Sequence, residues 1–348
     1  MRKKYTVLSV LLIVVILLAT GCAGNKNEKL NLAYDSIENY DYEGALIFLS
    51  SARENGEDER LITRAEGIVY LMQGRYDESV TALEKCLAMS KGIPEKMDYD
   101  VNYYLATAYC KNGNPSEALK IYDAILDLKP EEVDALYLRG VLYAEKEDLD
   151  SAMESFNKAI TLAPEDYDML IKIYSILERN GYKEVGLNYL RTAMESGTKK
   201  MSNFEKGQIS FYLEDYESAK TYLEKSKDEN GAEAVLFLGK TYETLGDTSY
   251  AISVYSSYLS AGNESPEVLN QMGLCKMRME DYEGALTAFR QAMNIEDNPM
   301  AQTLKYNEIV ACEYVGDYHK ACTLLEAYMR TYPDDEEAKR EYTFLKTR

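Results

Sequence analysis

The sequence predicts an all-α fold in which paired helices are stacked along the chain. The first observation behind this prediction is a small residue that recurs at spacings of 32 to 39 residues, with 34 in four of the eight intervals. A period near 34 residues is the length of a helix-turn-helix repeat. The recurring small residues are Ala45, Ser79, Ala118, Ala152, Gly186, Ala219, Ala251, Ala285 and Ala321.

The second observation is that each small residue has partners at fixed distances in the sequence. Twelve residues upstream the chain carries Ala33, Gly67, Ala106, Gly140, Tyr174, Gly207, Gly239, Gly273 and Ile309, seven of which are small. Four residues downstream it carries Leu49, Leu83, Tyr122, Phe156, Leu190, Leu223, Tyr255, Phe289 and Leu325, all of them large. A small residue on one helix lets a second helix approach, and the large residue fills the space beside the crossing. The pattern therefore predicts nine helical pairs.

Local signals predict where the individual helices end. Gly113, Gly246 and Gly316 follow first helices, at positions where a left-handed residue ends a helix well. Pro130, Pro164 and Pro333 stand where second helices should stop.

Three regions depart from the regular pattern. Residues 91–94, Lys-Gly-Ile-Pro, predict a longer loop between the second and third pairs. The fifth pair has Tyr174 and Gly186 in unusual places, which predicts a bend or a looser contact. Residues 335–348 carry apolar side chains at helical spacing and predict a last helix that caps the array.

This repeat resembles the tetratricopeptide repeat (TPR) family, although the family's tryptophan in the first helix is absent because the chain contains no Trp. The resemblance implies a right-handed α-solenoid of about nine units over residues 28–334, closed by the capping helix at 335–348. It also implies that residues three positions before the small residue of each first helix face a concave side. Some relatives capture a C-terminal carboxylate there with Lys, Arg and Asn, but here Asn270 and Lys240 are isolated, so that clamp is not expected.

The N-terminus has the features of an export signal. A basic start at Arg2, Lys3 and Lys4 precedes an apolar run over residues 7–19, which is shorter than the 18 or more residues of a membrane-spanning helix. Residues 18–22, Leu-Ala-Thr-Gly-Cys, resemble a bacterial lipobox. The resemblance implies a signal peptide over 1–21, lipidation of Cys22 and a short tether over 22–27. The alternative is an ordinary cleaved signal in which Cys22 is incidental.

Composition and motifs argue against several functional classes. The formal charge is −20, and no basic cluster follows the leader, so a nucleic-acid partner is not expected. His319 is the only histidine and receives no role, and the cysteines have no metal-binding spacing. No phosphate-binding or hydrolase motif occurs. We therefore expect no enzyme, cofactor or metal. Cys312 and Cys322 could form a disulfide, or they could be small buried packing residues.

Apolar residues expected on the concave side are the candidate binding site. They are Tyr103, Tyr137, Phe204, Phe211, Leu236 and Tyr306. Rigid aromatic side chains provide contact area at low entropic cost, so they could anchor a peptide or a partner helix. Packing between neighbouring first helices explains the same residues equally well.

The functional prediction is a scaffold for an unknown protein or peptide, lipid-anchored outside the cytoplasmic membrane, with the outer membrane a further possibility in a diderm host. The 31 tyrosines leave a second hypothesis, a lipoprotein that binds glycans or cell-wall fragments. An enzyme of unfamiliar type is the third hypothesis. Co-purification of a protein, retention on cell-wall material and substrate turnover distinguish the three.

Overall fold

The computed structural model describes residues 27–197, 200–228, 231–296 and 298–347, and these residues form helices and no strand. Cys22 and the predicted signal peptide lie outside the described residues. The helices are α1 Glu28–Glu38, α2 Tyr42–Glu54, α3 Glu59–Met72, α4 Tyr76–Ala88, α5 Lys96–Lys111, α6 Pro115–Leu128, α7 Val133–Glu145, α8 Leu149–Leu162, α9 Tyr167–Arg179, α10 Lys183–Gly197, α11 Asn203–Tyr212, α12 Tyr216–Ser226, α13 Gly231–Thr244, α14 Thr248–Ser260, α15 Pro266–Arg278, α16 Tyr282–Met293, α17 Ala301–Val315, α18 Tyr318–Thr331 and α19 Glu336–Leu345. Within the described ranges, the predicted nine helical pairs and last helix are confirmed.

The chain divides into two compact units, Met1–Leu142 and Tyr143–Arg348, called unit 1 and unit 2 below. Within unit 1, α1 contacts α3 and α3 contacts α5; within unit 2, α9, α11, α13 and α15 contact one another in succession. These neighbours are the first helices of their pairs. Each unit thus presents a surface of adjacent first helices, which we call its first-helix face.

Aspartates explain why most of the second helices begin where they do. The carboxylate of Asp41 accepts a hydrogen bond from the Gly44 backbone N–H at 2.9 Å, and Asp281 accepts one from Gly284 at 3.0 Å. The same position is occupied by Asp148, Asp215, Asp247 and Asp317, each of which accepts from the helix it precedes. A carboxylate there satisfies a free backbone donor and interacts favourably with the helix dipole.

The predicted left-handed turns are confirmed. Gly113, Gly246 and Gly316 have φ values of 79°, 86° and 88°. The equivalent turn residues of other pairs adopt the same conformation without being glycine, which the sequence pattern did not indicate. They are Tyr40, Glu147, Glu214 and Glu280, with φ between 59° and 64°. The turn geometry is therefore imposed by the packing of the pair and not by the glycine alone.

The fifth pair, α9 with α10, is not loosely packed, which corrects the expectation of a looser contact in this helical pair. The Tyr174 side chain is 2% exposed, and a methyl group added at Gly186 would lie 3.0 Å from its Cδ2 atom. The tyrosine therefore fills the space that glycine leaves on the second helix. The predicted longer loop is confirmed, since residues 89–95 separate α4 from α5 whereas residues 55–58 suffice between α2 and α3.

Candidate binding surfaces

The six predicted surface residues are all half-buried, and they are divided between the two units. Tyr103 on α5 and Tyr137 on α7 belong to unit 1. Phe204 and Phe211 on α11, Leu236 on α13 and Tyr306 on α17 belong to unit 2. The prediction that they bind a partner is therefore considered separately for each unit.

An aromatic cluster on the first-helix face of unit 2 brings two of the predicted residues together. The ring of Phe237 on α13 lies at its centre, with ring centroids 6.3 Å from Phe204, 5.5 Å from Phe211 and 5.7 Å from Tyr212. The interplanar angles of these pairs are 77° to 83°, so each ring meets Phe237 edge to face. We call Phe204, Phe211, Tyr212 and Phe237 the aromatic cluster; all four are half-buried.

Two members of the cluster, Tyr212 and Phe237, were missed in the sequence. Each directly follows a predicted residue in the sequence: Tyr212 follows Phe211, and Phe237 follows Leu236. The side chains of successive helical residues point in directions about 100° apart. The position of the neighbouring helix therefore decides which of two adjacent apolar residues contacts that helix. The succession of large apolar residues at 236 and 237 was the available signal.

Carboxylates flank this aromatic cluster. Glu178 on α9 accepts a hydrogen bond from the Tyr174 hydroxyl at 2.6 Å, and Glu233 on α13 accepts one from Gln208 Nε2 at 3.0 Å. Tyr174 in turn packs against Tyr212, with ring centroids 4.7 Å apart. Burial raises the pKa of the Tyr212 hydroxyl, and the negative charges of Glu178 and Glu233 raise it further. The hydroxyl is therefore protonated at neutral pH, and both carboxylates act on it.

The remaining predicted residues have separate surroundings. Tyr103 packs on Tyr122 with ring centroids 6.2 Å apart, and its hydroxyl is buried without a hydrogen-bond partner. Burial and the nearby carboxylates of Glu132 and Asp134 raise the pKa of Tyr103. Tyr306 lies 5.7 Å from the ring of Tyr328. Both residues thus serve packing within their own unit, whatever else they contact.

A groove in unit 1 was not predicted. It lies between α4, α5 and α6 beside the 89–95 loop, and its volume is about 330 Å³. Leu128 in its lining is 61% exposed, and buried Asp98, also in the lining, forms an ion pair with half-buried Arg60. The apolar wall is formed by Leu87, Pro94, Ile121, Ala124, Ile125 and Leu128. The groove is a second candidate surface, but the sequence signal for it, the inserted loop, carries no information about a ligand.

Catalytic chemistry has little support in the described ranges. These ranges hold no group of three or more His, Cys, Asp or Glu side chains able to bind a metal ion. Cys312 and Cys322 are free thiols. Burial and the neighbouring Glu341 carboxyl on α19 raise the pKa of Glu313 to about 7. Nor does any helix in these ranges combine the length and apolarity needed to cross a bilayer.

Comparison with known proteins identifies the helical pairs. One family model described as tetratricopeptide repeat matches residues 64–132 and 103–167. A second model with the same description matches residues 202–230 and 266–299. The chain carries tetratricopeptide repeats. The small and large residues of the helical pairs within these matched segments are therefore TPR packing positions.

Individual relatives are distant. The chain is 21% identical over 301 residues to BBSome complex member BBS4 of Bos taurus, covering 80% of this chain and 56% of that protein. It is 27% identical over 249 residues to a TPR repeat-containing protein of Methanocaldococcus jannaschii, covering 65% and 42% respectively. The chain thus spans about half the length of these curated relatives.

Among solved structures, yeast Tom70 is similar with a TM-score of 0.54 at 16% identity, covering 92% of this chain and 80% of that one. This similarity concerns the fold alone. The TPR array is a scaffold suited to protein–protein interaction, and proteins built from this repeat are generally scaffolds without catalytic activity.

Proposed function

We propose that the protein is a membrane-anchored TPR scaffold, tethered outside the cytoplasmic membrane through Cys22, that binds a protein or peptide on the first-helix face of unit 2. The observation that carries the binding proposal is the half-buried aromatic cluster. Its four rings are held by α11 and α13 and keep part of their surface accessible. Rings fixed in this way contribute binding area without losing much side-chain entropy.

The anchor is supported by the sequence at the N-terminus. A basic start, a short apolar run and a Gly-Cys junction coincide within the first 22 residues. Two acyl chains on Cys22 would anchor the protein stably, since each buried methylene contributes about 0.8 kcal/mol. Residues 23–27 are small and polar, which suits a short tether.

Binding is tested by crosslinking and pull-down from membranes with the full-length chain. The variant Phe211→Ala/Phe237→Ala removes two rings of the aromatic cluster, and Tyr250→Ala, an exposed tyrosine of α14, serves as the control. Far-UV circular dichroism verifies that both variants remain helical. We expect one abundant protein partner to be lost with the double variant and retained with the control.

Two other outcomes would change the proposed binding surface or the proposed class of ligand. An unchanged partner list with the double variant would place the binding surface elsewhere and favour the unit 1 groove. Capture of no protein, combined with retention on purified cell-wall material that soluble glycan fragments abolish, would replace the protein partner with a glycan.

The location is tested separately with Cys22→Ala. We expect the wild-type chain to incorporate labelled fatty acid and to sediment with membranes, and the variant to do neither. A wild-type chain released into the soluble extracytoplasmic fraction without label would support the alternative of an ordinary cleaved signal.

A further inference from the structure

The binding face of unit 2 combines two kinds of group that together favour one class of ligand side chain. The aromatic cluster supplies ring faces, whose negative electrostatic potential attracts cations. Glu178 and Glu233 supply full negative charges on the two helices that flank α11. Tyr212 connects the rings with one of the carboxylates. Its own ring contacts Phe237 on one side and Tyr174 on the other, and the Tyr174 hydroxyl donates a hydrogen bond to Glu178.

The hydrogen bonds of the two carboxylates come from neutral groups and bring no positive charge to either side chain. Glu178 accepts from a tyrosine hydroxyl and Glu233 from a glutamine amide, and both donors are neutral. Neither carboxylate belongs to an ion pair within the described ranges. Both residues are exposed, so a cation from a partner can reach them, and the attraction strengthens as binding removes the surrounding water.

Several cations near the aromatic cluster form salt bridges with carboxylates other than Glu178 and Glu233. Lys183, at the start of α10, pairs with Glu214 at 3.1 Å and also interacts electrostatically with Glu178, whereas Arg179 on α9 pairs with Glu145 at 3.2 Å. Lys172 pairs with Asp168, one turn before it on α9. The exposed Lys240 lies three residues beyond Phe237, towards the end of α13. The negative charge beside the aromatic cluster is thus not cancelled by pairing within α9 or α11.

The charge of the whole chain acts in the same direction. A formal charge of −20 attracts basic segments and repels acidic ones, and this long-range field accelerates association with a basic partner. The C-terminal carboxylate of a peptide is disfavoured at this face for the same reason.

We infer that the aromatic cluster, with Glu178 and Glu233, forms a site for an arginine or lysine side chain of a basic segment in the partner protein. The inference rests on the proposed protein-binding function and specifies the chemistry of the partner. The cation stacks on the half-buried rings and pairs with the two carboxylates, while the rings hold the aliphatic part of the side chain.

The test uses synthetic peptides and the full mature chain. The probes are fluorescein-labelled (Gly-Arg-Ser)₃, its citrulline analogue, which keeps the shape of arginine without its charge, and (Gly-Glu-Ser)₃. Fluorescence anisotropy at physiological ionic strength measures Kd. We expect binding of the arginine peptide and no measurable binding of the other two.

Matched variants separate a defined site from general attraction between opposite charges. Glu178→Gln/Glu233→Gln removes two negative charges and keeps acceptors for Tyr174 and Gln208. Glu154→Gln/Glu264→Gln removes the same charge from exposed positions of unit 2 away from the aromatic cluster. We expect the first variant to weaken binding of the arginine peptide about tenfold or more, and the second less than about twofold. Phe237→Leu should weaken it about threefold to fivefold.

Equal weakening by the two charge variants, or equal binding of the citrulline peptide, would overturn the inference. The proposed function can fail independently, because it concerns the native partner captured from membranes. If the partner is lost with Phe211→Ala/Phe237→Ala but retained with Glu178→Gln/Glu233→Gln, the scaffold function stands and the cation site is wrong. If neither variant affects the partner, the surface itself is wrong.

Discussion

The fifth and eighth helical pairs solve the same packing problem in opposite ways. In α15/α16 the first helix carries Gly273 and the second carries Phe289, whose side chain is fully buried. In α9/α10 the first helix carries Tyr174, which packs on Gly186 of the second helix, while buried Leu190 stands at the position that Phe289 has in the eighth pair. The turn residues are exchanged as well, since the left-handed position is Glu280 in one pair and Gly181 in the other.

This reversal teaches that the packing rule concerns the sum of two side chains at a helix crossing. A large and a small residue fill the space whichever helix carries which, because close packing depends on the total volume. The reversed pair differs in one further respect. Its large residue has a hydroxyl, which bonds Glu178 on the first helix and thereby links the packing of α9 to the proposed binding face.

The largest expected effect on stability comes from removing the large side chain at the helix crossing of the eighth pair. Phe289→Ala should reduce the free energy of unfolding by about 4 kcal/mol, because it leaves a cavity in a fully buried site. Phe344→Ala, at a phenylalanine that is 45% exposed, should cost less than about 1 kcal/mol. Urea denaturation followed by far-UV circular dichroism measures both. Similar costs for the two variants would show that burial at the crossing does not dominate the stability of this pair.

The next largest effect on stability comes from adding a methyl group at the small residue of a helix crossing. A methyl group added at Gly273 would overlap the Phe289 ring, so Gly273→Ala should cost about 2 kcal/mol. Gly186→Ala should be close to neutral, because its contact is 3.0 Å from the Tyr174 side chain and alanine gains about 1 kcal/mol in helix propensity. The midpoints of urea unfolding compare the two. If Gly186→Ala is as costly as Gly273→Ala, the two crossings have the same tolerance and the comparison fails.

A smaller effect should follow from removing the hydroxyl that only the reversed pair has. Tyr174→Phe should cost about 1 kcal/mol, since it deletes the hydrogen bond to Glu178. Tyr103→Phe is the matched control, because its hydroxyl is buried without a partner and its removal should leave stability unchanged or raised. Thermal denaturation at constant pH measures both changes. A loss of stability in Tyr103→Phe equal to that in Tyr174→Phe would contradict the role given to Glu178.

The smallest effect concerns the turns. Glu280→Gly should stabilise the protein by roughly 0.5–1 kcal/mol, because a left-handed conformation at φ 63° is strained for a residue with a side chain. Gly181→Ala at φ 90° should destabilise by about 1 kcal/mol for the same reason. Both differences are read from chemical denaturation. A stabilising Gly181→Ala substitution would mean that the turn of the fifth pair tolerates side chains.

The fold was predictable from the sequence because it depends on spacing. A period near 34 residues, with small and large residues at constant offsets, is visible without any knowledge of which residues meet in space. The fifth pair was the instructive failure. Tyr174 and Gly186 looked like two weak matches when each position was judged alone, whereas in the structure they compensate each other.

The candidate site was predictable only in part. The offset rule selected Phe204, and Phe211 was expected on the same side; both lie in one aromatic cluster. The rule also selected Tyr103 and Tyr306, which pack in other places. The predicted role of Cys22 stays a prediction. Phe237, at the centre of the aromatic cluster, and the two flanking carboxylates were missed, because their relation to α11 is a contact between neighbouring first helices far apart in the sequence.

The sequence by itself determined the all-α class, the number of helical pairs and the residues that close each crossing, since all of these follow from local periodicity and side-chain size. Only the tertiary structure decided which rings of adjacent first helices meet and which carboxylates lie beside them without a cation. The physical reason is that a helix fixes the direction of each side chain to within its own turn. The approach and rotation of the neighbouring helix are set by the packing of the whole unit.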